Sequence, residues 1–364
     1  MMLRHLLIPA ALVIVGCSGS DAASDTTATA STDAPAETTP DTEPESTEPE
    51  STEPAVTDAP PATDGFVING PARVRPSCES LARGVSEFTL DAGGAVHDVR
   101  VFVPATVVSD PAPVVLNWHG LGSNGAEQAL LSGYETLAEE EGFIAVHATG
   151  VAAAGDGPNS WELTEFDTPE RDDLAFADSL IDTVVADWCA DPDRVYSTGM
   201  SNGGLFTSEL VCSRADRIAA AVSVAGTTHP GSCEPARPVP YLSFHGTDDN
   251  VVPYAGGGES TLVDEVDPDG FFAQVMPAEF AEFAADAGCD PEPLRTEETP
   301  EVISYAYSGC DDDVPMVFYE IVGGGHTWPG SPLADQLAGS GIGFSTDDVS
   351  ATADGWAFMS QYTL

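Results

Sequence analysis

In residues 71–364, short apolar runs alternate with stretches whose apolar side chains recur at helical spacing. The runs at 88–90 and 96–103, separated by Asp91-Ala92-Gly93-Gly94, predict an opening antiparallel hairpin. Further strands are predicted at 113–118, 143–147, 195–198, 218–225, 239–244, 302–307 and 314–322. Between them helices are predicted at about 126–141, 172–190, 202–214, 277–287 and 352–361; in the second, Leu174, Ala177, Leu180, Ile181, Val184 and Val185 fall on one face. This alternation predicts an α/β fold, a mostly parallel, doubly wound sheet with helices on both faces. Ligands of such sheets bind beyond the carboxyl ends of the strands, so the residues that follow each strand carry the interest.

The first seventy residues obey neither period. Arg4 supplies a positive start, residues 6–15 are apolar, and Ile14-Val15-Gly16-Cys17 closes the run. This ending resembles the bacterial lipobox, so residues 1–17 are expected to be a lipoprotein signal peptide cut before Cys17, which then carries lipid. The apolar run is well short of the ~20 residues that cross a bilayer. Residues 18–70 are rich in Ala, Ser, Thr, Asp, Glu and Pro, and Thr42-Glu43-Pro44-Glu45-Ser46 is repeated from Thr47. A segment with so little to bury does not offset its ordering entropy, and an acidic tether with a reach on the order of 40 Å is expected. Residues 71–364 are left as the catalytic domain.

Charge and cysteine usage narrow the setting. The formal net charge is −49 and there is no lysine, so the surface repels nucleic acid and anionic headgroups. Membrane contact is expected only through a lipid on Cys17, and the domain is expected to be a monomer. Setting Cys17 aside, Cys78, Cys189, Cys212, Cys233, Cys289 and Cys310 remain, an even number that suits an exported protein. Fifteen pairings are open; the preferred set joins near neighbours, Cys212 with Cys233 and Cys289 with Cys310, leaving Cys78 for Cys189. No Cys-x-x-Cys spacing occurs, and no metal or cofactor is expected. Glu265-x-Asp267-x-Asp269-Gly270 imitates the start of a calcium loop, but Met276 stands at its twelfth position without a carboxylate.

Four strand ends supply chemistry. Gly199-Met200-Ser201-Asn202-Gly203 reads as strand, sharp turn, helix: the turn lifts the Ser201 hydroxyl off the sheet, and the glycines let strand and helix approach. The N–H of Asn202, unpaired at a helix start, is an expected oxyanion donor. His119-Gly120-Leu121-Gly122 follows the strand at 113–118, and the N–H of Leu121 is the expected second donor. His245-Gly246-Thr247-Asp248-Asp249 follows the strand at 239–244, with Asp249 the expected orienting acid and Asp248 in reserve. Gly323-Gly324-Gly325-His326-Thr327-Trp328 follows the last strand, where the glycines would let His326 reach the serine as its base. The order Ser201, Asp249, His326 is that of α/β hydrolases, not of chymotrypsin or subtilisin. His97, His147 and His229 read as packing or capping residues, and His245 as a loop-holding one. His119, in the same kind of turn, is likewise expected to hold its loop by hydrogen bonds and is also counted among the substrate-binding residues, with Trp161, Tyr254 and Trp328 as the expected cleft walls.

Together, His119-Gly120, Gly199 to Gly204, Val224-Ala225-Gly226, His245-Gly246-Thr247-x-Asp249-x-Val251-Val252-Pro253-Tyr254 and Gly323 to Gly330 resemble the polyhydroxybutyrate depolymerase and feruloyl esterase family of secreted esterases. The resemblance spans residues 86–362 and implies an α/β-hydrolase fold. It also implies an exported serine esterase acting on esters of polymers, either poly(3-hydroxybutyrate) or feruloyl and acetyl groups on plant polysaccharide. Glu162-Leu163 follow Trp161 where family members often carry Asn-Ala-Gly. A prolyl oligopeptidase-like peptidase and a non-catalytic surface-binding module are the remaining alternatives.

Overall fold

The computed structural model describes residues 78–107, 109–152, 157–163, 171–256 and 276–364. Every described residue belongs to the unit Asp64–Leu364. The expected leader, Cys17, the acidic tether and the Glu265 to Gly270 loop lie outside the described residues.

In chain order the elements are β1 (Gly84–Ala92), β2 (Ala95–Val103), β3 (Ala112–Trp118), α1 (Gly125–Ser132), α2 (Tyr134–Glu141), β4 (Ile144–Ala148), β5 (Val151–Ala152), β6 (Asn159–Ser160), α3 (Asp173–Asp187) and β7 (Ala190–Met200). There follow α4 (Asn202–Ser213), β8 (Ala220–Val224), β9 (Tyr241–Gly246), α5 (Met276–Asp286), β10 (Leu294–Thr299), β11 (Val302–Tyr307), β12 (Met316–Ile321), α6 (Ala334–Leu337) and α7 (Ala353–Met359). Ten strands form one sheet in the order β1-β2-β4-β3-β7-β8-β9-β12-β11-β10. The six central strands, β4 to β12 in that order, are parallel, and the antiparallel pairs lie at the two margins.

Burial explains the layering. Along β3, Val114, Leu116 and Trp118 join an apolar cluster with Phe176 and Leu180 of α3, Phe206 and Leu210 of α4, and Phe280 of α5. Val115, one residue out of phase, joins the opposite cluster with Tyr134 of α2 and Trp356 and Met359 of α7. A strand buried on both faces reads as a continuous apolar run, and each large side chain so buried stabilises by about 1.5–3 kcal/mol. Cys78–Cys189, Cys212–Cys233 and Cys289–Cys310 are the disulfides, the set preferred from spacing.

Besides the short β5, β6 and α6, which were not expected, three elements differ from expectation. The helix expected over 126–141 is two helices, because Gly133 takes φ 71° and ends α1 in a left-handed cap. The helix expected to reach 190 stops at Asp187: Cys189 takes φ 62° and its partner is Cys78, so the chain turns there into β7. β10 was not expected at all. Its six residues are almost all exposed, so no apolar period marks it, and its antiparallel pairing with β11 alone defines it.

Candidate active site

Ser201 sits between β7 and α4 with φ 56° and ψ −124°, a conformation that costs a non-glycine residue of order 1–3 kcal/mol. Its N–H donates to Val224 O at 2.9 Å and its carbonyl accepts from Leu205 N–H at 2.9 Å, so the turn is held from β8 and from within α4. The flanking glycines are required by contact. A Cβ on Gly199 would lie 2.4 Å from Gly203 O, and one on Gly203 would lie 2.2 Å from Trp118 O. Neither atom belongs to a side chain able to move aside.

Asp249 follows β9 and is buried. Its Oδ1 accepts from the N–H groups of Val251 (2.8 Å) and Val252 (2.9 Å). Its Oδ2 lies 2.8 Å from His326 Nδ1 and 3.3 Å from His245 Nε2. Burial alone would raise the pKa of this carboxyl, but the hydrogen bonds from His245 and His326 outweigh it and hold Asp249 well below the usual carboxylate range. Because Asp249 is ionised and accepts, His326 carries its proton on Nδ1, which leaves Nε2 as the basic nitrogen. His245 likewise donates from Nε2, which also meets Val252 O at 2.9 Å. Asp248, the reserve acid, is exposed. The His326 loop is docked by His326 N–H to Ile342 O (2.7 Å) and Gly325 N–H to Phe344 O (2.9 Å).

β7, β8, β9 and β12 are successive parallel neighbours, so Ser201, Asp249 and His326, each just past a carboxyl end, share one edge of the sheet. Among the described residues no hydrogen bond joins Ser201 Oγ to His326. The loop from His119 to Gly122 also comes close: a Cβ on Gly120 would lie 3.3 Å from Ser201 Cβ. Leu121, next in chain, is exposed, and Asn202 begins α4, where its N–H has no partner within the helix. A cavity of about 650 Å³ opens beside His326, bordered by Met200, Leu131, Trp328, Leu337, Ile342 and Phe344, with Asp335 and Asp347.

Of the four residues expected on the cleft walls, Trp328 borders this cavity, and the other three do not. His119 is fully buried; its Nδ1–H donates to Gly120 O (2.7 Å) and its Nε2 accepts from Gly150 N–H (2.8 Å). Burial pulls its pKa down to about 4, so it is a neutral loop-holding residue rather than a substrate contact. Trp161 is buried among Trp118, Phe206 and Phe176. Tyr254 packs beside the core and donates its hydroxyl to the Glu320 carboxylate. The segment 331–347, which forms much of the cavity wall, was missed, since its glycines and short α6 carry no period. His97 and His147 are buried, as expected of packing residues. His229, Cys233 and Asp286 gather ligand-type atoms within 4.8 Å, but Cys233 is bonded to Cys212, which leaves no thiolate to hold a metal.

Strand order, a serine at a strained strand-to-helix turn and a buried histidine–carboxylate pair at the same edge define an α/β hydrolase of the serine type. No family model matches the chain. It is similar to the bifunctional acetylxylan esterase/xylanase of Neocallimastix patriciarum, 28% identical over 271 residues, 74% of this chain and 34% of that protein. It is also similar to feruloyl esterase B of Piromyces equi, 33% identical over 234 residues, 63% of this chain and 42% of that protein. The chain thus spans about a third to two fifths of the length of these relatives. Among solved structures, an acetyl xylan esterase from Aspergillus awamori matches with a TM-score of 0.47 at 18% identity, over 67% of this chain and 94% of that one. These likenesses are to esterases, and the strand order is that of the α/β-hydrolase fold.

Proposed function

We propose that the protein is an exported serine esterase that hydrolyses carboxylic esters of polymers, of the poly(3-hydroxybutyrate) type, through Ser201, His326 and Asp249. Ser201 Oγ attacks the ester carbonyl and passes its proton to His326 Nε2, while Asp249 holds the imidazole by its Nδ1–H. The N–H groups of Asn202 and Leu121 receive the oxyanion, and the alkoxide leaves with the proton held on His326. Water, deprotonated by the same nitrogen, then clears the acyl-enzyme. The bond from serine to base is one that tightens only when substrate is in place. The observation that carries the reading is the 2.8 Å His326–Asp249 hydrogen bond beside a serine of positive φ.

Apart from His326, the cavity is lined by apolar side chains, the hydroxyls of Thr327, Ser331 and Ser345 and two carboxylates, with no arginine among them, which suits a neutral acyl group better than an anionic one. A second reading, a feruloyl or acetyl xylan esterase on plant polysaccharide, is favoured by the names of the relatives. In either case residues 1–17 would direct export with lipid on Cys17, residues 18–70 would tether the domain, and the three disulfides suit an oxidising compartment. Ser201→Ala is expected to abolish hydrolysis of p-nitrophenyl acetate with the melting temperature unchanged; turnover retained by the folded variant would refute the assignment. A panel of 3-hydroxybutyrate oligomers, methyl ferulate and acetylated xylan separates the two substrate readings.

A further inference from the structure

The two N–H groups assigned to the oxyanion come from distant parts of the chain, yet one short segment is bonded to both surroundings. Trp161 N–H donates to Asn202 Oδ1 at 2.6 Å, and Asn202 Nδ2 donates back to Trp161 O at 3.0 Å. The Trp161 indole N–H donates to His119 O at 3.0 Å, two residues before Leu121. On the other side of Leu121, Gly122 N–H donates to Asn159 O at 2.7 Å and Asn159 Nδ2 donates to Ser123 O at 2.9 Å. Residues 159–161 therefore fasten the Leu121 loop fore and aft, and fasten the side chain of the first residue of α4.

This segment is itself rigidly seated. The indole meets Trp118 edge-on at 5.0 Å and stacks on Phe206 at 5.4 Å. Ser160 O accepts from Arg171 Nη2 at 3.2 Å, and Glu162 N–H donates to the buried Asp173 carboxylate at 2.7 Å, which in turn lies 3.0 Å from Arg171. A support of this kind has a chemical use. Donors stabilise a developing oxyanion only when held at its position before it forms, and the energy falls steeply as they drift.

We propose that residues 159–161 are a bracket that sets the spacing and aim of the two oxyanion donors, with the side chains of Trp161 and Asn202 as positioning residues. The proposal rests on the ester-hydrolase reading above. Neither side chain meets the reacting atoms, and both main-chain donors survive its removal. Substitution should therefore weaken transition-state binding while leaving ground-state binding in place, a loss in kcat rather than in KM.

The test compares Asn202→Ala, Trp161→Phe, which keeps a ring but deletes the indole N–H, and the double variant, with p-nitrophenyl acetate as substrate. Each single change is expected to lower kcat on the order of 10-fold, less than the loss of a whole oxyanion donor, with KM within about twofold. Affinity for phenylboronic acid, whose tetrahedral serine adduct places an oxygen on the same donors, should fall by the same factor. The double variant should lose less than the product of the two, because both changes open one bracket. Unchanged kcat in folded Asn202→Ala, or a kcat loss without a matching loss of boronate affinity, overturns the proposal. Should Trp161→Phe fail to fold, the Asn202→Ala ratio decides. Ser201→Ala assayed alongside separates the two readings: if it retains turnover the hydrolase assignment has failed, and if it is inactive while the positioning variants are normal only the bracket has.

Discussion

Asp249→Asn tests the acid at the level of single protons. The carboxylate meets four donors, two main-chain N–H groups on Oδ1 and two histidine N–H groups on Oδ2. An amide supplies one acceptor oxygen and one NH2, so whichever way it turns, its NH2 faces donors. If it faces Val251 and Val252, both contacts are lost. If it faces the histidines, His326 must move its proton to Nε2 to offer Nδ1 as acceptor, and the ring then no longer takes a proton from serine. His245 has no such escape, because Val252 O keeps its Nε2 a donor. Loss of a charge-assisted hydrogen bond costs about 1.5–3 kcal/mol, so a stability loss of about 2 kcal/mol is expected. The wrong tautomer in an equivalent arrangement lowers kcat by ~10⁴-fold. The measurements are kcat for p-nitrophenyl acetate and urea unfolding on the same preparation. A folded variant with kcat within about threefold of the parent would refute the role of Asp249, and so would a kcat loss no larger than its unfolded fraction.

Gly203→Ala is expected to destabilise by more than the ~1–3 kcal/mol typical of overpacking, since its Cβ would lie 2.2 Å from Trp118 O, and calorimetry reads the loss. Burial pulls His147 down to about 3 and His119 to about 4, both below their unfolded value, so the fold binds fewer protons and its stability is lost as pH falls from 6.5 toward those values. Each contributes a loss of about 2 kcal/mol between pH 6.5 and 4.5; Asp173, raised to about 6 by burial, opposes them by about 2 kcal/mol, for a net loss of about 2. Urea unfolding at the two pH values checks this, and equal stabilities would contradict it. Ile342→Trp should raise KM for methyl ferulate while leaving p-nitrophenyl acetate nearly unchanged if the cavity holds the acyl group, as steady-state kinetics will show.

The alternation of periods was enough to read the parallel sheet, and the chemistry at its strand ends could be read because each such loop must end a strand and still reach one edge. Ser201, Asp249 and His326 were legible for that reason. Packing was not. His119 and Trp161 follow strands in positions that suit a cleft wall or a plug equally well, and only three-dimensional neighbours show both buried under the oxyanion loop. The break at Gly133 was concealed because Tyr134 to Glu141 keeps good helix formers after it. β10 and the cavity wall at 331–347 owe their places to contacts made elsewhere, so nothing in their own composition announces them.

β7 carries a covalent fastening just before one end and the proposed nucleophile just after the other: Cys189 immediately precedes Ala190, and Ser201 immediately follows Met200. Eleven extended residues span up to about 36 Å, so the cross-link to Cys78 and the Ser201 hydroxyl stand at opposite ends of β7. Removing that bridge alone, with Cys78→Ala and Cys189→Ala together, should lower the melting temperature by unfastening the end of β7 away from the proposed site, while turnover at moderate temperature persists. Durability and reactivity are lodged at the two ends of one strut, so either can be altered with little effect on the other.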